Sequence, residues 1–185
     1  ALANGNERGR TSPPGINLNS PTDGQKGITD TQVTLSWSGQ PVYRGRADHT
    51  TITNYLLHVG TTSPQNKNNA NADVFNANVG TLTSKTITVE LGKTYYWAVR
   101  ADDIDGSTWS STWSFSTNSK PVASIDSVEP QTPREGVEVT LKGSGTDPDG
   151  DEITAYKWES DQDGELGTKA TVKAVFSVGD HILSF

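Results

Sequence analysis

The densest group of side chains able to do chemistry is Asp147-Pro148-Asp149-Gly150-Asp151-Glu152. Ca2+ takes about six to eight hard oxygen ligands, and alternating carboxylates on a tight turn supply several of them. Asp147, Asp149 and Asp151 are therefore the candidate metal ligands, with Ca2+ the only cofactor the chain suggests. The loop is not an EF-hand. Glu152 stands where that loop needs Gly, and Trp158 stands where it needs Glu. The competing reading is an ordinary Asp-Pro-Asp-Gly turn between strands. Asp161, Asp163 and Glu165 form a second acidic turn with the same two readings. The three histidines, His49, His58 and His181, lie far apart, and no partners can be named that would make a triad with any of them. With no cysteine there is no disulfide, zinc-thiolate site or cysteine nucleophile. Carboxylates concentrate in turns, and no Gly-rich phosphate loop leads a strand into a helix. The expectation is a protein that is not an enzyme.

A second group could bind rather than react. The segment 42–51, VYRGRADHTT, is longer than a hairpin needs and carries Tyr43, Arg44 and Arg46. Trp109 is the other candidate, because an exposed indole face suits the apolar face of a sugar. Arg100, on the outer face of the neighbouring strand, is placed to lie over Trp109 as a cation on an aromatic ring. The bland role for Trp109 is a structural staple. Residues 63–73, SPQNKNNANAD, are Asn-rich and read as a solvated connection or a recognition loop.

The elements that must position these residues are strands. In 89–117, VELGKTYYWAVRADDIDGSTWSSTWSFST, Tyr95, Trp97, Val99 and Ala101 share one parity, while Tyr96, Ala98, Arg100 and Asp102 share the other. That period of two puts an apolar stripe on one face of a strand. Asp105-Gly106 supplies a turn, and Trp113 and Phe115 alternate with serines in a returning strand. Two strands cannot bury these aromatics alone, so a sheet must surround them. Ile16 and Leu18, then Val33, Leu35 and Trp37, then Tyr55, Leu57 and Val59, then Ile87 and Val89 supply further inward stripes. Val74, Phe75 and Val79 suit a short edge strand. Ser38-Gly39-Gln40-Pro41 closes the strand of Val33, Leu35 and Trp37. Trp37, Tyr95, Trp97 and Trp158 are expected to be structural. No helical period persists, so the chain is all-β.

The pattern breaks at 118–121. Residues 1–12 read as a flexible leader, 13–117 as one β-sandwich, 118–121 as a linker and 122–185 as a second sandwich. The second series runs Ala123 and Ile125, then Val137, Val139 and Leu141, then Tyr156 and Trp158, then Val172, Ala174 and Phe176, then Leu183 and Phe185. A seven-stranded sandwich needs one strand more, so the expectation is a fragment or an edge completed from elsewhere. A hydrophobic fraction of 31% over 185 residues suits two thin sandwiches better than one large core. The net charge is −7 and the pI about 4.9, with no basic patch, which excludes nucleic acid as an expected partner. No apolar run reaches about 18 residues, the length that spans a bilayer as a helix.

Residues 13–117 resemble a fibronectin type III domain of the kind repeated in prokaryotic surface and secreted proteins. The carrying residues are Ser20-Pro21-Thr22-Asp23-Gly24, Val33 to Ser38, Tyr55 to Thr61, Gly92 to Asp102 and Trp113 to Thr117. The resemblance implies a tyrosine corner at Tyr95, its hydroxyl bonded to backbone upstream while its ring packs in the core. Trp109-Ser110-Ser111-Thr112-Trp113-Ser114 resembles the Trp-Ser-x-Trp-Ser motif of cytokine-receptor fibronectin domains, with one residue more. Residues 121–185 resemble a PKD or related Ig-like domain, on Gly143 to Asp151, Tyr156-Lys157-Trp158, Asp163 to Gly167 and Val178 to His181. His181 sits where relatives place a corner tyrosine. That family's Trp-Asp-Phe-Gly-Asp-Gly core is absent: Trp158 leads into Glu159-Ser160-Asp161.

Both families serve mostly as spacers, adhesion modules or accessory domains outside the cell. The resemblance therefore implies an exported, cell-surface structural or adhesion module pair. Its expected partners are other modules or copies of itself, joined in a surface layer or filament by strand complementation. The alternative is a pair of accessory modules, spacer or carbohydrate-binding, of a secreted glycoside hydrolase or protease.

Overall fold

The computed structural model describes residues 15–40, 51–63, 73–103 and 106–185. The leader, the 41–50 segment with Tyr43, Arg44 and Arg46, most of the Asn-rich stretch and Asp105 lie outside these. The chain divides into two compact units, one running to Asn118 and the other from Ser119 to Phe185.

The first unit is a β-sandwich. Its smaller sheet has β1 (Gly15–Ser20), β3 (Gln32–Gln40) and β6 (Ser84–Thr88) in the order β1-β3-β6. Its larger sheet has β2 (Gln25–Ile28), β9 (Trp113–Thr117), β7 (Thr94–Asp103), β4 (Asn54–Gly60) and β5 (Phe75–Gly80), with β8 (Gly106–Trp109) also paired to β7. All pairs are antiparallel except β2 with β9. The two inner faces supply one core, because alternate residues of each strand point the same way. Leu18, Val33, Leu35, Trp37 and Ile87 come from one sheet. Tyr55, Leu57, Val59, Tyr95, Trp97, Val99, Ala101 and Phe115 come from the other. Fully burying one such aliphatic or aromatic side chain is worth about 1.5–3 kcal/mol.

Two strands depart from the sequence reading. β3 does not close at Ser38-Gly39 but runs on to Gln40. Gly39 is there because a Cβ would stand 2.1 Å from the Tyr55 hydroxyl. β2, with the polar sequence Gln25-Lys26-Gly27-Ile28, carries no apolar alternation and pairs along β9 through its backbone.

The second unit has two three-stranded sheets. One is β10 (Val122–Glu129), β11 (Val139–Thr146) and β14 (Thr171–Ala174), in the order β10-β11-β14. The other is β13 (Gly164–Gly167), β12 (Trp158–Ser160) and β15 (Leu183–Ser184), in the order β13-β12-β15. Val139, Leu141 and Trp158 are its buried core, flanked by Val128, Leu166, Val172, Phe176, Leu183 and Phe185. Glu165, expected in an acidic turn, stands instead in β13. The Phe185 ring lies between Trp158 (centroids 4.3 Å) and Tyr156 (5.3 Å). It rests on Gly143, where a Cβ would stand 2.5 Å from it, so only glycine fits beneath the ring.

Candidate functional site

Three places in the described structure gather polar and aromatic groups. The first is the outer face of the larger sheet in the first unit. Arg100 pairs across the ladder with Trp109, which sets both on the face opposite Trp97 and Trp113. Residues 110–112 lie between β8 and β9 and shift the parity, so Trp113 turns inward. Arg100 lies over the Trp109 ring, its guanidinium carbon 5.9 Å from the centroid. The same guanidinium grips Asp102 with two bonds, Nε at 2.8 Å and Nη2 at 3.0 Å. Asn54 Nδ2 donates to Asp102 Oδ2, the oxygen that also accepts Arg100 Nη2, at 3.1 Å. Burial pushes the Asp102 carboxyl up, but the bonds from Arg100, Ser107 and Asn54 together outweigh it and hold its pKa below the ordinary value.

His58 faces the same side and is 3% exposed, which its outward parity does not foretell. It meets Trp109 edge to face with ring centroids 6.3 Å apart. Its Nδ1 is buried without a hydrogen-bond partner. Burial lowers its pKa, opposed by the charge of Asp73. This face is thus a packed staple of Trp109, Arg100, Asp102 and His58, and the indole has Arg100 and His58 against it.

The structural aromatics lie in the two cores. Trp37, Trp97 and Trp158 are fully enclosed. Tyr95 makes a corner: its hydroxyl takes the Glu90 N–H at 2.8 Å and donates to the Glu90 carbonyl at 3.3 Å, while its ring stacks on Phe115 at 5.3 Å.

The second place is the acidic turn. Asp147 Oδ1 accepts the Asp149 N–H at 2.8 Å, and the Asp147 carbonyl accepts the Gly150 N–H at 3.1 Å. The Asp149 carboxylate accepts the Ser119 N–H. These bonds close the turn and tie it to the backbone of Ser119, ahead of β10. Asp147, Asp149 and Asp151 do not converge, and among the described residues no group of three or more carboxylates or histidines could hold a metal. The physical reason is that Asp147 and Asp149 spend acceptors on backbone N–H groups, one within the turn and one at Ser119. The acidic residues that follow behave alike. Asp161 Oδ1 takes the Ile182 N–H at 2.9 Å, and Asp163 Oδ2 takes the Ser177 N–H at 3.0 Å. Hydrogen bonding from Ser177 holds the Asp163 carboxyl below its usual range.

The third place is a cleft of about 490 Å³ in the second unit. Val128, Val137, Val139, Phe176, Val178 and Leu183 give it apolar walls, and Arg134, Glu135, Asp180 and His181 give it a polar rim. Leu183 of β15 lines one side, and among the described residues β12 is the strand paired to β15. At one end His181 is clamped: Nε2 donates to the Ser177 carbonyl at 2.9 Å, so Nδ1 accepts the Ser160 hydroxyl at 2.8 Å. Asp163 lies 3.6 Å from that same Nδ1. Serine and aspartate thus share one ring nitrogen, and a carbonyl takes the other. A serine nucleophile needs its base and orienting carboxylate on opposite nitrogens. This group fixes a corner instead, and no local pattern of residues marks the cleft.

No family model matches the chain, and no curated protein matches it. Among solved structures it is similar to the fibronectin(III)-like modules of Clostridium thermocellum CbhA, at 15% identity over 90% of this chain and 82% of that one, TM-score 0.40. It is similar to an alpha-L-rhamnosidase from Dictyoglumus thermophilum at 17% identity over 72% of this chain, TM-score 0.44, and spans 17% of that enzyme. It is similar to the FN1–FN3 domains of chicken CNTN1 at 13% identity over 89% of this chain and 52% of that one, TM-score 0.34.

Proposed function

We propose that the chain is a non-catalytic pair of β-sandwich modules from an exported surface protein, structural or adhesive in role. Its second module joins a neighbouring polypeptide in a surface layer, filament or adhesin by accepting a β-strand. The observation that carries this reading is the cleft beside β15, where an unpaired sheet edge adjoins open apolar walls. An unpaired edge is a template for another strand, because its backbone donors and acceptors are already in register. The polar groups elsewhere are engaged in stapling strands and closing turns, which suits a module that bears load or holds spacing. The resemblance of the two units to fibronectin type III and PKD modules supports an extracellular setting.

A fusion tests the acceptor reading. A neutral strand alternating valine and threonine, tethered after Phe185 by a Gly-Ser linker, should raise the melting temperature of the second unit. The same tether with proline at alternate positions should leave it unchanged, because proline cannot donate to a ladder. Equal behaviour of the two fusions would overturn the reading.

A further inference from the structure

We propose that β5 is a self-pairing edge. Two copies of the chain join antiparallel along residues 75–79, about a two-fold axis through Ala77, so that their larger sheets become one. The proposal stands on the first unit and does not depend on the cleft beside β15.

The strands that end the sheets are guarded unequally. Among the described residues β4 is the strand paired to β5, so β5 ends its sheet on that side. An open edge is ordinarily blunted by a charge, a bulge or very short length. Lys26 in β2, Lys85 in β6, Asp126 in β10, Glu165 in β13 and Lys173 in β14 are such charges. β1 is interrupted by a bulge after Leu18, and β15 has two residues. β5 has six residues, and no charged residue or proline stands from Val74 to Ser84.

Its backbone groups point outward at the right positions. The Val99 carbonyl in β7 accepts the Ser110 N–H at 2.8 Å, and the Val99 N–H bonds Ser110 Oγ at 3.0 Å, so both groups face away from β4. Alternation then turns Ala98 and Arg100 toward β4, their partners His58 and Leu56 toward β7, and Leu57 toward β5. Ala77 answers Leu57, which leaves the N–H and carbonyl of Asn76 and Asn78 on the open side. The register shift beyond Leu56 puts a bulge at Val79 and ends the regular run there.

The run selects a second copy as its occupant because it complements itself. Residues 75–79, Phe-Asn-Ala-Asn-Val, read nearly alike in both directions. Antiparallel pairing about Ala77 sets Asn76 of one copy opposite Asn78 of the other in hydrogen-bonded pairs, and Phe75 opposite Val79. An asparagine amide both donates and accepts, so it pairs with its own kind. Asn78 Oδ1 accepts Asn54 Nδ2 at 3.1 Å, which leaves the Asn78 amide nitrogen to donate to the facing Asn76. Charge does not oppose the pairing, since residues 1–118 carry nine Lys or Arg and nine Asp or Glu. Lys85 stands over the Phe75 ring at 5.6 Å. The two Phe75 residues fall at opposite ends of the joined run, about 13 Å apart, beyond the screening length of about 8 Å at physiological salt.

The test uses the whole chain. Sedimentation should show monomer passing to dimer as concentration rises. Amide exchange should slow with concentration at Asn76 and Asn78 but not at Ala77, whose N–H faces β4. Asn76→Pro removes a donor that β4 does not use, so the first unit should still melt cooperatively while association weakens by at least about tenfold. Ala77→Cys brings two thiols together across the axis, where facing Cα atoms stand about 4.5 Å apart and a disulfide spans about 4.4–6.8 Å. This variant should oxidise to a covalent dimer at least about tenfold faster than Leu82→Cys, an exposed position outside the run. The native chain has no cysteine to interfere. A chain that stays monomeric at every concentration, or equal oxidation of the two cysteine variants, would overturn the inference. A dimer that survives Asn76→Pro would also overturn it. If the strand fused after Phe185 then dissolves that dimer, self-association lies at β15 and the acceptor reading stands without this one.

Discussion

The two sandwiches are built from similar strands but hold together to different degrees. The first encloses fourteen hydrophobic residues in one cluster; the second encloses three, with six more only partly covered. The exposed side shows the converse. Of the large hydrophobics that stand exposed among the described residues, only Leu82 lies in the first unit, whereas Val122, Ile125, Val137, Val175, Val178 and Ile182 lie in the second. The first unit is also electrically neutral, and the second holds the whole negative charge. The contrast teaches that similar folds can enclose very different cores: one unit covers its apolar surface by itself, and the other leaves much of it open, which on the reading proposed above would be the contact surface.

The largest expected effect tests this directly. Calorimetry of the whole chain should show two transitions, the lower from the second unit. Trp158→Ala removes a fully buried ring from a core of three, at a cost of about 3–5 kcal/mol. For so small a core that is a large share of a typical domain stability of about 5–15 kcal/mol. The lower transition should vanish while the upper one stays. If both fall together, the units do not melt independently and the contrast is broken.

Tyr95→Phe is the next in size and sharpens the account of the first unit. It leaves the ring on Phe115 but strands the Glu90 N–H, and the expected loss is about 1–2 kcal/mol, read as a fall in the upper transition alone. A neutral result would mean that the corner bond to Glu90 contributes nothing.

The pH response of His58 follows. Burial lowers its native pKa below the unfolded value of about 6.5, so the unfolded chain takes the proton first. Its contribution is fully present above that pH, is lost as pH falls from there toward the native value, and levels off below it. Denaturant midpoints of the first unit should therefore decline on acidification through this window, and His58→Gln should flatten that decline. A variant with the wild-type slope would assign the effect to other groups.

Arg100→Ala should have the smallest effect. It removes the cation over Trp109 and the two hydrogen bonds to Asp102 at a partly exposed site, for about 1 kcal/mol. A nuclear magnetic resonance titration should show the Asp102 pKa rise in the variant, because burial then acts with less opposition. An unchanged Asp102 titration would mean that Asn54 and Ser107 hold it alone.

Much of the first sandwich was legible because its residues alternate. Tyr95, Trp97, Val99 and Ala101 announce a strand face, and the strand face demands an opposing sheet. Gly39 read as an ending and proved to be a seat for the Tyr55 ring, since glycine signals both and only the neighbour decides. β2 was illegible for another reason: its side chains are polar, and its pairing with β9 is made by backbone, which all residues share. Parity gave the direction of His58 but not its burial, which depends on Trp109 packing across the sheet face. The Asp147–Asp151 turn read as ligand or as turn with equal ease, because a carboxylate accepts from a cation or from a backbone N–H alike.

By itself, the sequence determined the all-β class, the inward stripes of the first unit and the aromatics that fill the cores. These follow from a period of two and the cost of exposing apolar surface, both local properties of the chain. Ala123, Ile125 and Val137, expected to face inward in the second unit, stand exposed. Only the tertiary structure decided where the carboxylates point, which tryptophan is enclosed and which stapled, and that a cleft opens beside β15. Those outcomes depend on groups distant in sequence meeting in space, and no local period records such meetings.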